Sequence, residues 1–515
     1  MKKFLVKAFC FLSFITSVNS NYAQCSQDQV GAINYSVTSQ FSDMAVAPNG
    51  LLYSFAYNSG VGKFYLHSIS APSSSWTPVA NINGSTSTKP VIQVSKTGKV
   101  YVALKDDAAG QVGKLFYLSG ATFIQLGSPF SGANKVSDLS IALNSLGEEY
   151  VAYTDITNGN RSTVKKWDGS SWINVGTGTV SINSGYYNSL IIDKTDAPVL
   201  AFQDLNSGNK ITVMKFNGTS WNFSTSVGSS PTNARLKLGQ NGDYYLGYTE
   251  DTNNGVVQKF NGSSWSQLGS SIPNLSPTSN AFDLDLDPND MPYIIALNNT
   301  SFYAVAFRYT GSWSNVFGGN ISGVTTVNTN VAVDYKGTPY FFYVDQPSNY
   351  GLNVKTVTDP TNIVSQPASP TVCNGFLGSI GVGYSGPTPA FQWQVLSAGT
   401  FTNILTGGNT APLNYTATPG FQYYRCVMGT SCKNIISNTS TVTVNTLTVS
   451  TTFTNPTCFN SGNGSISASV TGGSGSYTYS WSPVGGTSAT ATGLYWNTYT
   501  LSVTDVMNGC IDTKT

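Results

Sequence analysis

The chain has little charge and almost no histidine. Only 10% of its 515 residues are Asp, Glu, Lys or Arg, the formal net charge is +1, and His67 is the single histidine. Scattered charge of this kind offers no electrostatic footprint to nucleic acid or to an anionic membrane. One histidine also excludes a histidine-based metal site and a Ser/His/Asp arrangement. Partners held by long-range charge are therefore not expected.

Long hydrophobic runs are missing beyond the N-terminus. Residues 4–18 are mostly apolar and follow a pair of lysines, which predicts a secretory signal peptide over residues 1–23, cleaved after Ser20 or Ala23. No later stretch reaches the roughly 20 apolar residues of a membrane-spanning helix. We therefore expect an exported protein without a membrane span.

Cysteines are absent from residues 26–372, and Cys10 leaves with the signal peptide. The others are Cys25, Cys373, Cys426, Cys432, Cys458 and Cys510. In an oxidising compartment such cysteines predict disulfides, and Cys25 is interpreted as a thiol or disulfide partner rather than a lipidated residue. The abundant residues are glycine (51) and tyrosine (29), which favour an all-β fold because helix formers are scarce.

A repeat organises most of the chain. Residues 168–172 (DGSSW) predict a turn followed by a short strand, and variants recur at nearly constant distance. The aromatic residues at the anchor position are Trp76, Phe123, Trp172, Trp221, Trp265 and Trp313. Their separations of 47, 49, 49, 44 and 48 residues, with four short strands in each unit, indicate a β-propeller.

The propeller is predicted over residues 25–360 with seven blades. The units begin near residues 42, 89, 138, 189, 234, 282 and 330. The seventh unit ends without its tryptophan strand, and residues 29–35, ahead of the first complete blade, are a candidate for this missing fourth strand. Closing the ring in this way leaves no open sheet edge.

Two acidic patterns are candidate sites. The second strands of several blades end in a carboxylate, namely Asp106, Asp155, Asp204, Asp251 and Asp345, which would form a ring that binds a cation or sugar hydroxyls. The preferred interpretation is structural, because aspartate side chains also bond backbone N–H groups in turns. Residues 282–290 (FDLDLDPND) have a spacing similar to a calcium loop, but Pro288 and the strand pattern replace its glycine and glutamate. No cofactor is predicted, and calcium stays an alternative.

No catalytic residue is nominated, so we expect no enzyme. A sialidase-type propeller needs an arginine cluster and a serine two positions before the aspartate of its repeated box, and this chain has Lys166 two positions before Asp168. A carboxylate pair that acts as acid and base on a glycan is the enzymatic alternative.

Residues 361–447 follow a different pattern. Cys373, Trp393, Tyr424 and Cys426 have the spacing of an immunoglobulin-like sandwich, in which a cysteine pair bridges two sheets beside a buried tryptophan. The segment resembles Ig-like modules of secreted and gliding-type surface proteins of Bacteroidetes. The pairing of Cys25 and Cys432 stays open.

Residues 448–515 contain short motifs rich in asparagine and glycine. They include NPTC at 455–458, GNGSI at 462–466 and NGC at 508–510. The segment resembles a SprB-type repeat, a small β module of adhesins, although residues 495–497 (YWN) stand where the family has Ala-Gly. Cys458 and Cys510 bracket the module, and a disulfide between them would stabilise it by roughly 3 to 4 kcal/mol.

The resemblance implies a Bacteroidetes surface protein that uses the general export pathway and then the type IX route. Such proteins end in a sorting domain, so we expect the chain to be a fragment or a truncated gene product. The sequence predicts an all-β, non-enzymatic extracellular protein, with the propeller as recognition head and the Ig-like and SprB-type modules as stalk. The expected ligand is a surface glycan or a protein. A glycan lyase or hydrolase and a spacer without ligand are the alternatives, and oligomeric state, binding face and metal dependence stay open.

Overall fold

The computed structural model describes most of the chain. The described residues are 26–33, 41–70, 75–278, 280–346, 351–358, 361–386, 388–397, 399–430, 433–458 and 460–515. The predicted signal peptide, Cys25 and Cys432 lie outside them. Apart from one 3-10 turn, η1 (Leu205–Ser207), the regular structure of these residues is β-strand, which confirms the all-β class. None of them belongs to a helix long and apolar enough to cross a membrane.

The first part of the chain consists of short strands joined by tight turns. In order they are β1 (Ser26–Ile33), β2 (Ser42–Val46), β3 (Leu51–Asn58), β4 (Lys63–Ser70), β5 (Thr77–Asn83), β6 (Val91–Val94), β7 (Val100–Asp106), β8 (Val112–Ser119), β9 (Thr122–Gln125), β10 (Val136–Leu143), β11 (Glu149–Asp155), β12 (Arg161–Trp167) and β13 (Trp172–Ile192). The following ones are β14 (Pro198–Asp204), β15 (Lys210–Phe216), β16 (Trp221–Val227), β17 (Thr232–Leu238), β18 (Tyr244–Thr249), β19 (Asn254–Phe260), β20 (Trp265–Gln267), β21 (Ile272–Pro273), β22 (Phe282–Leu286), β23 (Pro292–Leu297), β24 (Ala304–Tyr309), β25 (Trp313–Asn320), β26 (Thr326–Val333), β27 (Pro339–Asp345) and β28 (Gly351–Thr358).

Groups of four antiparallel strands form the blades, numbered 1 to 7 along the chain. Their strand orders are β2-β3-β4-β5, β6-β7-β8-β9, β10-β11-β12-β13, β13-β14-β15-β16, β17-β18-β19-β20, β22-β23-β24-β25 and β26-β27-β28-β1. The long strand β13 pairs with β12 through its first half and with β14 through its last, so it belongs to two blades. Each inner strand lies beside the inner strand of the next blade, and β26 lies beside β2. The sheets therefore close into a ring, the arrangement of a propeller.

The N-terminal strand completes the last blade. β1 runs antiparallel to β28, with Ser26 paired to Thr358 and Ile33 to Leu352. Val30 of β1 is buried in the apolar cluster shared by blades 7 and 1. The seventh blade thus obtains its fourth strand from the start of the chain, as the missing tryptophan strand predicts, and the edge of that sheet is not left open.

The repeated tryptophan joins neighbouring blades. In blades 3, 4 and 6 the indole N–H group donates to a backbone carbonyl of the preceding blade, from Trp172 to Leu126 (3.2 Å), from Trp221 to Val175 (2.8 Å) and from Trp313 to Leu268 (2.8 Å). In the turn before each strand, the side chain of Asp168, Asn217 or Asn261 accepts bonds from backbone N–H groups two and three residues on. Both parts of the sequence repeat therefore serve the fold.

The chain beyond residue 360 begins with a β-sandwich. Its strands are β29 (Asn362–Ser365), β30 (Thr371–Cys373), β31 (Leu377–Ile380), β32 (Gly383–Ser385), β33 (Ala390–Ser397), β34 (Thr400–Asn403), β35 (Leu413–Thr416), β36 (Gly420–Gly429), β37 (Asn434–Ile436) and β38 (Ser440–Asn445). The main sheet has the order β30-β38-β36-β33-β34, with β37 beside β36, and it faces the pairs β29-β32 and β31-β35. Trp393 is fully buried between them and pairs across the sheet with Cys426.

The last module consists of two three-stranded sheets. Its strands are β39 (Leu447–Thr454), β40 (Gly464–Gly472), β41 (Tyr477–Ser482), β42 (Thr490–Leu494), β43 (Thr500–Asp505) and β44 (Ile511–Lys514). The sheets have the orders β39-β40-β42 and β41-β43-β44. Trp481, Leu501 and Val503 lie in the small apolar core between them.

The predicted disulfide pairs are wrong. Cys373 is bonded to Cys510, which links the sandwich to the last module, while Cys426 is a buried thiol and Cys458 an exposed one. β38 lies between β30 and β36 in one sheet, Cys373 is level with Asn445 of β38, and Cys426 lies two residues beyond Tyr424, the partner of Ser440. Cys373 and Cys426 are therefore more than about 20 Å apart, further than a disulfide reaches. Cys510 lies near the start of β39, because the backbone of Val449 bonds to Asp512, whereas Cys458 lies beyond its end.

The sandwich is docked on blade 6 of the propeller. The buried guanidinium of Arg308, at the end of β24, donates to the Thr430 carbonyl (3.0 Å) and to Oδ1 of Asn434 (2.8 Å). Nδ2 of Asn434 donates in turn to Oδ2 of Asp287 (2.6 Å) in the turn after β22. The two units therefore share a buried polar interface, beyond the chain segment that joins them.

Candidate functional site

A polar channel of about 700 Å³ runs along the axis of the propeller, enclosed by the inner strands. Alternate residues of a strand point to the same side, so every second residue of these strands faces the channel. The charged residues of its lining are Asp43, Lys89, Asp138, Arg235, Lys237, Asp283 and Asp285. The centre of the ring is therefore rich in ionisable groups, although the inner strands read as largely apolar.

Side chains in the middle of the inner strands bridge neighbouring blades. Backbone N–H groups donate to them, from Ile92 to Asp43 (3.0 Å), from Leu190 to Ser140 (3.0 Å), from Leu236 to Ser189 (2.8 Å) and from Val331 to Asp283 (3.0 Å). Inner strands of different blades share no ladder, so these bonds satisfy donors that would otherwise be unpaired. Serine makes the same bond as aspartate, and the charge of Asp43 and Asp283 is not needed for it.

The two aspartates belong to a chain of contacts around one arc of the channel. Nε of Arg235 donates to Oδ1 of Asp283 (3.0 Å). Nδ2 of Asn330 lies 3.3 Å from Oδ2 of Asp283 and 2.6 Å from Oδ1 of Asp43. Nζ of Lys89 lies 3.3 Å from the same oxygen of Asp43. The chain thus connects blades 5, 6, 7, 1 and 2.

A second ion pair lies two residues further along the same strands. Nζ of Lys237 is 3.1 Å from Oδ1 of Asp285, whose Oδ2 accepts a bond from the N–H of Val333 (2.8 Å). Side chains of the arc range from 9% exposed for Asp283 to 36% for Lys237, so the channel reaches them. The arc holds three carboxylates and three cations, and its net charge is zero.

Burial and neighbouring charges shift the titration of these groups. Burial lowers the pKa of Lys89, although Asp43 opposes the shift. Burial acts to raise the pKa of Asp283, but the charges of Arg235, Lys237 and Lys89 outweigh it and hold this pKa below the usual value. In blade 3, on the far side of the ring, burial raises the pKa of Asp138. The pKa values of two carboxyl groups that line the same channel, Asp138 and Asp283, are therefore shifted in opposite directions.

The predicted rim carboxylates do not act together. Their partners lie in their own blades, Lys114 for Asp106 (2.7 Å), Asn134 for Asp155 (2.8 Å), Ser207 for Asp204 (3.0 Å) and Asn353 for Asp345 (2.7 Å), while Asp251 is exposed in a turn. Within the part of the chain that the structure describes, no three His, Cys, Asp or Glu side chains are grouped to hold a metal ion. Asp155 and Asp204 also accept bonds from the turn N–H groups of Asn158 and Asn206, which agrees with the turn interpretation for these two.

The acidic segment 282–290 divides between two roles. Asp283 and Asp285 face the channel, whereas Asp287 accepts bonds from two backbone N–H groups of the following turn. The equivalent aspartates of blades 4 and 7 make the same turn. The three carboxylates point to different places, so they do not form the common centre that a calcium loop requires. His67 lies buried on β4, where burial lowers its pKa.

Sequence reasoning missed the cations of the channel and Asn330. A signal for them exists, since Arg235 and Lys237 alternate within an apolar strand, and Asp283 and Asp285 alternate in the same way 48 residues later. That offset equals the length of one repeat. Opposite charges at equivalent positions of successive blades predict contacts between them.

Known proteins resemble this chain in two respects, the sequence of the last module and the overall backbone structure. Residues 450–486 match the SprB repeat family, and no curated protein sequence matches the chain. The extracellular domain of a putative hybrid two-component system from B. thetaiotaomicron is 10% identical, with a TM-score of 0.42 over 82% of this chain and 57% of that one. A six-bladed fucose-binding lectin of Aleuria aurantia is 14% identical (TM-score 0.39; 56% and 100%), and the polysaccharide lyase Uly1 is 10% identical (0.42; 62% and 90%). Similarity at this level does not extend to any particular site.

Proposed function

We propose that the chain is a non-enzymatic extracellular recognition protein whose propeller binds a neutral glycan in its central channel. The main support is that Asp43 and Asp283 make the bond between blades with a carboxylate. At the equivalent positions of blades 3 and 4, a serine makes the same bond. The carboxylates give the channel hydrogen-bonding capacity that the contact between blades does not need. Burying such groups costs free energy, which binding of a polar ligand would explain.

The lining favours a ligand that is polar but uncharged. Because the carboxylates and cations of the arc cancel, an ionic ligand gains no net attraction there. Lys89 and Arg235 donate only, whereas Asp43 and Asp285 accept only, so donors and acceptors alternate at fixed positions. Sugar hydroxyls do both, and a channel of this volume holds a small oligosaccharide.

An extracellular location fits the last module and the covalent link. The chain carries a SprB repeat, and the Cys373–Cys510 disulfide is of the kind that persists in oxidising compartments. Cell-surface adhesion is the corresponding biological role, with the docked sandwich and the last module as its support.

The test is a glycan-array screen of the full chain, followed by affinity measurements on Asp283→Ser. This serine keeps an oxygen for the N–H of Val331 and removes the charge, so we expect folding to persist and affinity to fall about tenfold. Asp168→Asn is the control, since asparagine forms the same exposed turn in blades 4 and 5. A chelator should leave binding unchanged. Wild-type protein that binds no glycan, or Asp283→Ser with normal affinity, contradicts the proposal and favours a protein ligand or a spacer.

A glycan-active hydrolase or lyase is the second candidate. It is favoured by the opposite pKa shifts of Asp138 and Asp283 in one channel, since an acid and a base are tuned in this manner. Release of new chain ends from a bound polysaccharide, lost in Asp138→Asn, would establish an enzyme. Binding without turnover supports recognition.

A further inference from the structure

The last module exposes three large aromatic side chains, Phe453 on β39 and a pair in one loop. Trp496 is 70% exposed and Tyr495 is 54% exposed, both in the loop between β42 and β43. Residues 460–463, ahead of β40, lie against the same loop, because a Cβ at Gly462 would stand 2.9 Å from the Tyr495 ring. We call residues 460–463 and 495–499 the aromatic tip. Aromatic surface in water is unfavourable, so its exposure here is a feature to explain.

The loop that carries Trp496 is held in place by the side chain of Tyr499. The hydroxyl of Tyr499, a buried residue, accepts a bond from the N–H of Tyr495 (3.1 Å) and donates one to its carbonyl (3.0 Å). The ring of Tyr495 is held in turn against Gly462, whose φ of 56° favours glycine. Trp496 is therefore presented by a preorganised loop, which lowers the entropy cost of binding.

The adjoining loop is rigid as well and entirely polar. Oδ1 of Asn463 accepts bonds from the N–H of Thr457 (3.0 Å) and the hydroxyl of Ser461 (2.7 Å), and its Nδ2 donates to Oγ1 of Thr457 (2.9 Å). Asn460 and Asn497 are exposed beside it. Neither part of the tip contains a charged residue. The aromatic surface is thus surrounded by amides and hydroxyls.

We propose that the aromatic tip is a second carbohydrate site, separate from the channel, where a neutral sugar ring stacks on Trp496. One face of a sugar ring consists of C–H groups that pack on an indole, and its edge of hydroxyls matches the surrounding amides. A protein interface would place apolar side chains around the tryptophan to exclude water, and this tip has asparagine, serine, threonine and glycine instead. Without charge, the tip gives an acidic polysaccharide no advantage.

Native gel electrophoresis of the full chain tests this site. The gels contain laminarin, hydroxyethyl cellulose or amylopectin, three neutral polysaccharides with different linkages. We expect retardation by at least one of them, about tenfold weaker affinity for Trp496→Ala, and near wild-type affinity for Trp496→Phe, which keeps a stacking ring. Phe421→Ala removes another exposed aromatic, on the sandwich, and should change nothing.

Asp283→Ser in the same gels separates the two sites. If Trp496→Ala loses retardation by the polysaccharide and Asp283→Ser keeps it, the site at the tip is supported and the channel site is contradicted. The reverse result overturns the tip alone. Wild-type protein that no neutral polysaccharide retards overturns the tip as well. A lower sedimentation coefficient of Trp496→Ala, without any sugar effect, would overturn it in favour of contact between chains.

Discussion

Replacing Asp193 by asparagine should weaken the propeller in a pH-dependent manner. The carboxylate follows β13 and accepts bonds from the N–H groups of Thr195 (2.8 Å) and Ala197 (3.1 Å). Nζ of Lys215 lies 2.5 Å from its Oδ2, and the hydroxyl of Tyr244, in blade 5, donates to the same oxygen (2.9 Å). With a side chain only 4% exposed, Asp193 holds blade 4 to blade 5.

The size of the expected loss in stability follows from the pKa shift of Asp193. Burial alone would raise the value, but hydrogen bonds from Lys215, Thr195, Ala197 and Tyr244 lower the pKa of Asp193 to about 2, against 3.8 for an ordinary aspartate. This lowering of the Asp193 pKa corresponds to about 2.5 kcal/mol of folding free energy. Because the folded-state pKa is lowered, this stabilisation is present above about pH 4 and is lost as the pH falls towards about 2. Asp193→Asn should therefore be about 2 kcal/mol less stable at neutral pH and match the wild type near pH 2.

Urea unfolding between about pH 7 and about pH 2 measures the difference. Tryptophan fluorescence reports mainly on the propeller, which holds six of the nine tryptophans. Asp251→Asn is the control, because its carboxylate is exposed in a turn. If Asp193→Asn is as stable as the wild type at neutral pH, or if its loss of stability does not change with pH, the role given to ionised Asp193 is refuted.

Three further changes test the architecture. Arg308→Ala leaves the Thr430 carbonyl and Oδ1 of Asn434 without their donor, so the sandwich should detach from blade 6, and small-angle scattering should show a larger radius of gyration than for the control Arg161→Ala. Val30→Asp places a charge in the buried seam of blades 7 and 1 and should cost about 3 kcal/mol or more, measured as a lower melting temperature. A maleimide should label exposed Cys458 in the native protein and spare Cys426, because burial raises the pKa of that thiol to about 12, and peptide mapping distinguishes the two.

The propeller was predictable because its sequence signal has a physical cause. In blades 3, 4 and 6 the tryptophan that marks the repeat donates to a carbonyl of the preceding blade, as Trp221 does to Val175, so these blades need it at the same place. The blade without this strand lies last, and the spare strand β1 lies first. One count of strands was therefore enough to predict how the ring closes.

The channel was not predictable from local pattern. Asn330 and Asp43 are 287 residues apart in sequence and meet only because the ring closes. Arg235 and Lys237 stand in an apolar strand, without glycine, histidine or a turn to mark them. Spacing also misled the disulfide prediction, since the distance along the chain from Cys373 to Cys426 does not reveal that both lie in one sheet.

The proposed sites stand on elements that are tied to one another. The sandwich is joined to blade 6 through Arg308 and Asn434, and to the last module through the Cys373–Cys510 disulfide, so fewer orientations of the modules are accessible than a flexible linker allows. Two weak contacts on one polysaccharide chain gain from such restriction, because the second contact forms at a high effective concentration once the first is made. Modest affinity at the channel and at Trp496 would then be enough for firm adhesion to a polymer. Serine at the equivalent positions of blades 3 and 4 shows that the bond between blades can be made without a carboxylate, so Asp283→Ser tests the channel and Trp496→Ala tests the tip in one chain.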